Sequence, residues 1–154
     1  MGTRAAITPC RPVRPVNQMV PPGAGNSALF SMSLPGEPTS VAHARRSLRQ
    51  WLAGHGVAGG VLDDVVLCAD EAVTNAIEHG YRGDTTGEVR LSVELLGTAI
   101  VVTVLDHGHW RPAQDGLGVS HGWGLPMIKS LAETMAVTHT DGHTTLTARF
   151  RRPG

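Results

Sequence analysis

The segment Val61–Gly80, VLDDVVLCADEAVTNAIEHG, followed by Glu88–Asp106, EVRLSVELLGTAIVVTVLD, decides the fold through a change of period. In the first segment Leu62, Val65, Val66, Ala69, Ala72, Val73, Ala76 and Ile77 recur mostly every three or four residues, which predicts one long amphipathic helix. It is expected to begin after Gly59-Gly60, with Asp63 and Asp64 in its first turn, where the helix dipole favours acidic side chains. Gly80 is placed to stop it. In the second segment Val89, Leu91, Val93 and Leu95 alternate with Glu88, Arg90, Ser92 and Glu94, the pattern of a strand with one wet face. Gly97-Thr98 makes a short turn, and the apolar run Ala99–Leu105 returns as the second arm of an antiparallel hairpin closed by Asp106.

Upstream of the helix, Ala28–Leu34 alternates loosely and reads as a first strand ended by Pro35-Gly36. Thr39 or Ser40 is expected to cap a helix running to about Ala53, with Val41, Ala44, Leu48 and Trp51 or Leu52 on one face and Gly54 and Gly56 at its end. Downstream, residues 111–124 are rich in glycine and turn formers and predict a loop over a site. Ile128, Leu131 and Met135 restore helical spacing over Leu125–Met135, with Pro126 near the start. Ala136–Thr140 and Thr144–Phe150 then form a strand pair around Asp141-Gly142. Helices and a mainly antiparallel sheet in this order predict an α+β two-layer sandwich, a mixed, mainly antiparallel sheet with the helices on one face.

The 154 residues suit one domain, expected over residues 27–150. Residues 1–26 hold Pro9, Pro12, Pro15, Pro21 and Pro22 with little to bury, and are expected to be a disordered tail. Residues 151–154 form a basic C-terminal end. Thirteen basic and thirteen acidic residues leave no formal net charge, so no global field favours nucleic acid or an anionic membrane as a partner. The prolines interrupt any signal-peptide core, and Ala99–Leu105 is too short to cross a bilayer. Cys10 and Cys68 are too few for a disulfide scaffold. The chain is read as a soluble, cytoplasmic protein.

Glu71, Asn75 and His79 recur every fourth residue and form one polar stripe on the long helix. The stripe is either the solvent face or a site. Asn75 is poorly suited to a helix interior and stands beside Ala72, Ala76 and Ile77, which favours the site. There the carboxylate would orient a water or hydroxyl, and the carboxamide oxygen would ligate a hard cation such as Mg²⁺. Asp106 either caps a turn or accepts a hydrogen bond from an amino group, and Gly108 leaves room for a planar ligand. His107, His109 and Trp110 are too loosely spaced to specify a metal site. Gly122-Trp123-Gly124-Leu125 leads into a helix whose first amides either hold phosphate oxygens, with Lys129 as a counter-charge, or serve as a hinge.

Taken together, the Glu71–Gly80 motif, Asp106-His107-Gly108 and Gly122-Trp123-Gly124-Leu125 resemble the GHKL-type ATP-binding family of DNA gyrase, the large heat-shock chaperones, histidine kinases and mismatch-repair ATPases. The branch they most resemble is that of the bacterial anti-sigma-factor serine/threonine kinases. The resemblance spans about residues 27–150 and implies the Bergerat-type ATP-binding fold, ATP and Mg²⁺ as ligands, and transfer of the γ-phosphate to a small antagonist protein. It implies a sigma factor as the sequestered partner and a homodimer as the assembly. It assigns Glu71 as general base or water-orienting carboxylate, Asn75 as Mg²⁺ ligand and Asp106 as acceptor of the adenine amino group. Gly108 would give room beside the ring, Gly122 and Gly124 would bracket the lid, and Thr144 would support the adenine pocket. Trp110, Trp123 and Pro126 depart from the family's glycine motifs. A non-catalytic, nucleotide-responsive protein-binding regulator is the alternative, and a stand-alone ATPase a third reading.

Overall fold

Among the described residues, the alternation and the helical spacing resolve into eight elements. They are β1 (Ser27–Pro35), α1 (Thr39–Gly54), α2 (Gly59–Gly80), β2 (Glu88–Leu96), β3 (Ala99–Asp106), α3 (Gly124–Leu131), β4 (Thr134–Thr140) and β5 (His143–Arg151). The computed structural model describes residues 27–80, 87–107 and 124–153, without the side chains of residues 79, 80 and 124. The expected tail, residues 1–26, lies outside the described residues.

The strands form one sheet in the order β1-β2-β3-β5-β4. All of its neighbours are antiparallel. Because side chains alternate, the register sorts them into two faces. On one face Phe30, Val93, Val102, Ala148 and Met135 form a row across five strands, and Met32, Leu91, Val104, Leu146 and Val137 form the next. Leu91, Val93, Val102 and Ala148 are fully buried there beneath the helices. The opposite face carries Arg90, Ser92, Thr103, Thr147 and Arg149, which meet water. This is the two-layer α+β sandwich with helices on one face that the sequence predicts.

Helix α2 lies over β2, β3 and β5, with α1 on one side and α3 on the other. Its Val65, Cys68, Ala69, Ala72, Val73 and Ala76 enter the core. From α1, Ala44, Leu48 and Leu52 join them, and from α3, Ile128. Gly56 ends α1 with φ of 75°, a conformation that costs a side-chain-bearing residue about 1 kcal/mol or more. In the β4–β5 turn Asp141 and Gly142 both have positive φ, 51° and 78°, as a two-residue hairpin turn that follows the sheet twist requires.

Three local expectations differ from the structure. The expected cap at Thr39 or Ser40 is not made, because Pro38 already has helical dihedrals and occupies the N-cap position. Ser40 is buried inside the first turn and donates its hydroxyl to the Pro35 carbonyl at 2.7 Å, tying α1 to the end of β1. Helix α2 begins at Gly59, so Asp63 and Asp64 fall in its second turn, and Asp63 pairs with Arg49 at 3.0 Å. Helix α3 ends at Leu131, not Met135. The backbone N–H of Glu133 already bonds the Arg149 carbonyl at 2.8 Å, and Met135 pairs with Ala148 in the sheet.

Cys68 sits in the core with its thiol pushed up from 9.0 to about 12 by burial. A raised folded value makes the contribution of the neutral thiol complete below about pH 9, and it is lost as pH rises from 9 toward 12. Denaturation midpoints are therefore expected to fall over that window, with a shallower fall in Cys68→Ala. Peptide mapping after alkylation at neutral pH should find Cys68 unmodified until denaturant is added, since the thiolate is the nucleophile. Equal pH profiles for the two proteins would contradict this account.

Candidate functional site

The polar stripe of α2 lies at the boundary of the core. Glu71 and Asn75 are half-buried, one turn apart, while Ala72, Val73, Ala76 and Ile77 beside them are buried. Between them, Thr74 turns its hydroxyl back to the Asp70 carbonyl at 2.8 Å, which removes it as a donor toward a ligand. Asp70 in turn accepts two contacts from the Arg45 guanidinium, 3.2 Å from Nε and 3.0 Å from Nη2. That fork joins α1 to α2 one residue before Glu71, while the burial of Ala69, Ala72, Val73 and Ala76 sets the rotation of the stripe.

The second group stands on the sheet. Asp106 ends β3 on the helix-covered face and is only 6% exposed. Among the described residues, it and Ser40 are the buried polar side chains. A buried carboxylate is costly unless its environment is polar, so its place at the end of an otherwise apolar strand makes it a candidate site residue. The register seats Asp106 between Val89 on β2 and Thr144 on β5. Thr144 is half-buried on the same face, and directly across from it on β4 is His139. The row thus runs Leu34, Val89, Asp106, Thr144, His139. The His139 Nδ1 and Thr144 Oγ1 atoms are 2.9 Å apart.

The structure thus brings Asp106 and Thr144 together as cross-strand neighbours and packs α2, with Glu71 and Asn75, onto the strands that carry them. Gly124 is the first residue of α3, and Lys129 is exposed in that helix's last turn. Gly108, Gly122, His109 and Trp110 lie outside the described residues. His107 and His143 follow and precede Asp106 and Thr144 by one residue and so belong to the opposite face, where their rings meet edge to face at 4.2 Å. Among the described residues, no group of three or more His, Cys, Asp or Glu is arranged to hold a metal ion.

Sequence reasoning did not single out His139. Its signal was available, because a two-residue turn at Asp141-Gly142 pairs Thr140 with His143 and therefore His139 with Thr144. A groove of about 350 Å³ between α1 and α2 is lined by Arg45, Arg49, Asp63, Val66, Leu67 and Asp70. Its four charged side chains are already paired with one another, so it presents no unmatched group to a ligand.

Residues 34–150 match the family described as the histidine kinase-like ATPase domain. The chain belongs to this family. Within the family the chain is 26% identical over 139 residues to the serine-protein kinase RsbW of Bacillus subtilis (strain 168), covering 81% of this chain and 87% of that one. It is also similar to the crystal structure of the RsbU and RsbW domains of Rv1364c from Mycobacterium tuberculosis, with a TM-score of 0.65 and 28% identity. That match covers 82% of this chain and 33% of the other, so the chain spans about a third of the solved protein. The histidine kinase domain of a blue-light activated kinase from Erythrobacter litoralis EL346 shares the fold, with a TM-score of 0.50 at 16% identity over 75% of this chain and 60% of that one. The GHKL-type resemblance drawn from the three motifs therefore holds, and with it the homology to RsbW-like kinases.

Proposed function

We propose that this protein is an anti-sigma-factor-like serine/threonine kinase that transfers the ATP γ-phosphate to a small antagonist protein and, when free of it, sequesters a sigma factor. The observation that carries the reading is the buried Asp106 paired with Thr144 beneath α2, a polar notch in an apolar sheet face. Family membership and the similarity to a serine-protein kinase support it.

In this reading Asp106 accepts a hydrogen bond from the adenine amino group, Gly108 leaves room beside the ring, and Thr144 completes the polar edge. Gly122 and Gly124 are assigned to the phosphate end of the nucleotide. Asn75 would help hold Mg²⁺ through its carboxamide oxygen, and the cation would supply neutralisation of charge at the phosphates. The acceptor serine oxygen forms a bond to the γ-phosphorus as the bond from that phosphorus to the ADP oxygen breaks. Glu71 takes the serine proton, and ADP leaves. The partners are proteins, with a homodimer as the assembly. Leu29, 64% exposed on the edge strand β1, offers it a contact. Among the described residues no helix is long and apolar enough to cross a membrane, and a cytoplasmic location fits the proposed partners.

The test is calorimetric titration with ATP, with and without Mg²⁺, for the wild type and Asn75→Ala. The wild type is expected to bind more tightly with Mg²⁺, and the variant to lose most of that gain while keeping its Mg²⁺-independent affinity. An equal gain in both would remove Asn75 from the metal role. Absence of ATP binding by the folded wild type would overturn the kinase reading in favour of a protein-binding regulator, the alternative that Trp110 and Trp123 in the glycine motifs favour.

A further inference from the structure

We propose that His139 is a positioning residue for nucleobase recognition, acting through Thr144 to make that hydroxyl a donor toward the purine ring. The inference rests on the nucleotide reading given above. Its basis is the order of side chains across the sheet: Asp106, Thr144 and His139 occupy adjacent strands in one row on one face. The two oxygen-bearing side chains at the inner end of that row are cross-strand neighbours, with Cβ atoms about 5 Å apart, close enough to read adjacent atoms on one edge of a base. Adenine presents an amino donor beside a ring-nitrogen acceptor. A carboxylate at Asp106 can only accept, so it suits the amino group. The neighbouring position must then donate.

A threonine hydroxyl is ambivalent, since it carries one proton and two lone pairs and rotates to suit its surroundings. The 2.9 Å contact with His139 Nδ1 biases that freedom according to the tautomer of the ring. When Nδ1 carries the ring proton, it donates to Thr144 Oγ1, and the hydroxyl proton is left for the base. The opposite tautomer would draw the hydroxyl proton toward the imidazole and present only lone pairs to the ligand. His139 is exposed at the outer end of the row, so its substitution disturbs no core packing.

The experiment compares ATP with 1-deaza-ATP, which keeps the amino group and lacks the ring nitrogen beside it. Full-length wild type, His139→Val and His139→Asn are titrated with both in the presence of Mg²⁺. Wild type is expected to prefer ATP by about fivefold, the worth of one net hydrogen bond. His139→Val should lessen that preference, because the freed hydroxyl still carries a proton but is no longer biased to donate it, with the loss confined to ATP. His139→Asn should restore it, because its side-chain amide places a donor near the Nδ1 position. Thr144→Val, which removes the donor itself, should abolish the preference, and adding His139→Val to it should bring no further loss. A preference undiminished in His139→Val, or absent from a wild type that binds ATP, would overturn the role of His139 alone. Failure of the wild type to bind ATP would overturn the nucleotide reading and this inference together.

Discussion

Replacing Glu71 by alanine is expected to lower phosphate transfer by about 100- to 10,000-fold, the usual contribution of a positioned general base, while leaving ATP affinity nearly unchanged. The expectation follows from where the side chain stands. Glu71 is half-buried on α2, one turn from Asn75, with the helix rotation set by the burial of Ala72, Val73 and Ala76 beside it. In the proposed kinase reading, a carboxylate so placed would contribute to the step in which the acceptor hydroxyl loses its proton, and less to holding the nucleotide. Alanine has the highest helix propensity, so α2 should persist, and thermal unfolding of the variant verifies it. Single-turnover transfer of labelled phosphate to the acceptor protein, set beside calorimetric ATP binding, separates the two effects. Glu71→Gln refines the result: it keeps shape and hydrogen-bonding reach but cannot take a proton. If the glutamine variant transfers as fast as the wild type, Glu71 orients the hydroxyl and does not act as the base. An unchanged rate in the alanine variant would remove Glu71 from the step altogether.

Much of this arrangement is legible in the sequence, and the exceptions have physical reasons. Helix α2 and the β2–β3 hairpin are visible because their buried faces repeat over many residues, as Leu62 to Ile77 and Val89 to Leu95 do. The turn at Asp141-Gly142 is visible because few residue pairs accept positive φ twice in succession. The end of α3 is not, because Ile128, Leu131 and Met135 fit a helical spacing while Met135 also fits a strand that points it at the same core. Long-range contacts, the backbone bond from Glu133 to Arg149 and the pairing of Met135 with Ala148, decide between them. The cap of α1 is misread for a local reason: Pro38 enters helical geometry first and leaves Ser40 inside the turn. The site is legible in two unequal parts. Glu71 and Asn75 announce themselves on one helix, whereas the meeting of Asp106 and Thr144 depends on β5 crossing to lie beside β3, which no local pattern encodes. Before the fold is known, only the resemblance connects those two residues.

That long-range meeting underlies the other large effect. Asp106→Asn is expected to weaken ATP binding by about 10- to 100-fold, the range for losing a hydrogen bond to a charged group. Asparagine fills nearly the same volume, so the buried end of β3 between Val89 and Thr144 keeps its packing, and the change falls on hydrogen bonding. A carboxylate presents two acceptors and no donor, but the carboxamide turns one of these into a donor that cannot meet an amino group favourably. Purine riboside triphosphate, which lacks the amino group, isolates the contact. It should bind the variant and the wild type with similar affinity, while ATP discriminates between them. A variant that loses affinity for both nucleotides equally would point to a deformed pocket, with Asp106 acting on structure. One that binds ATP as tightly as the wild type would separate this buried carboxylate from the adenine altogether.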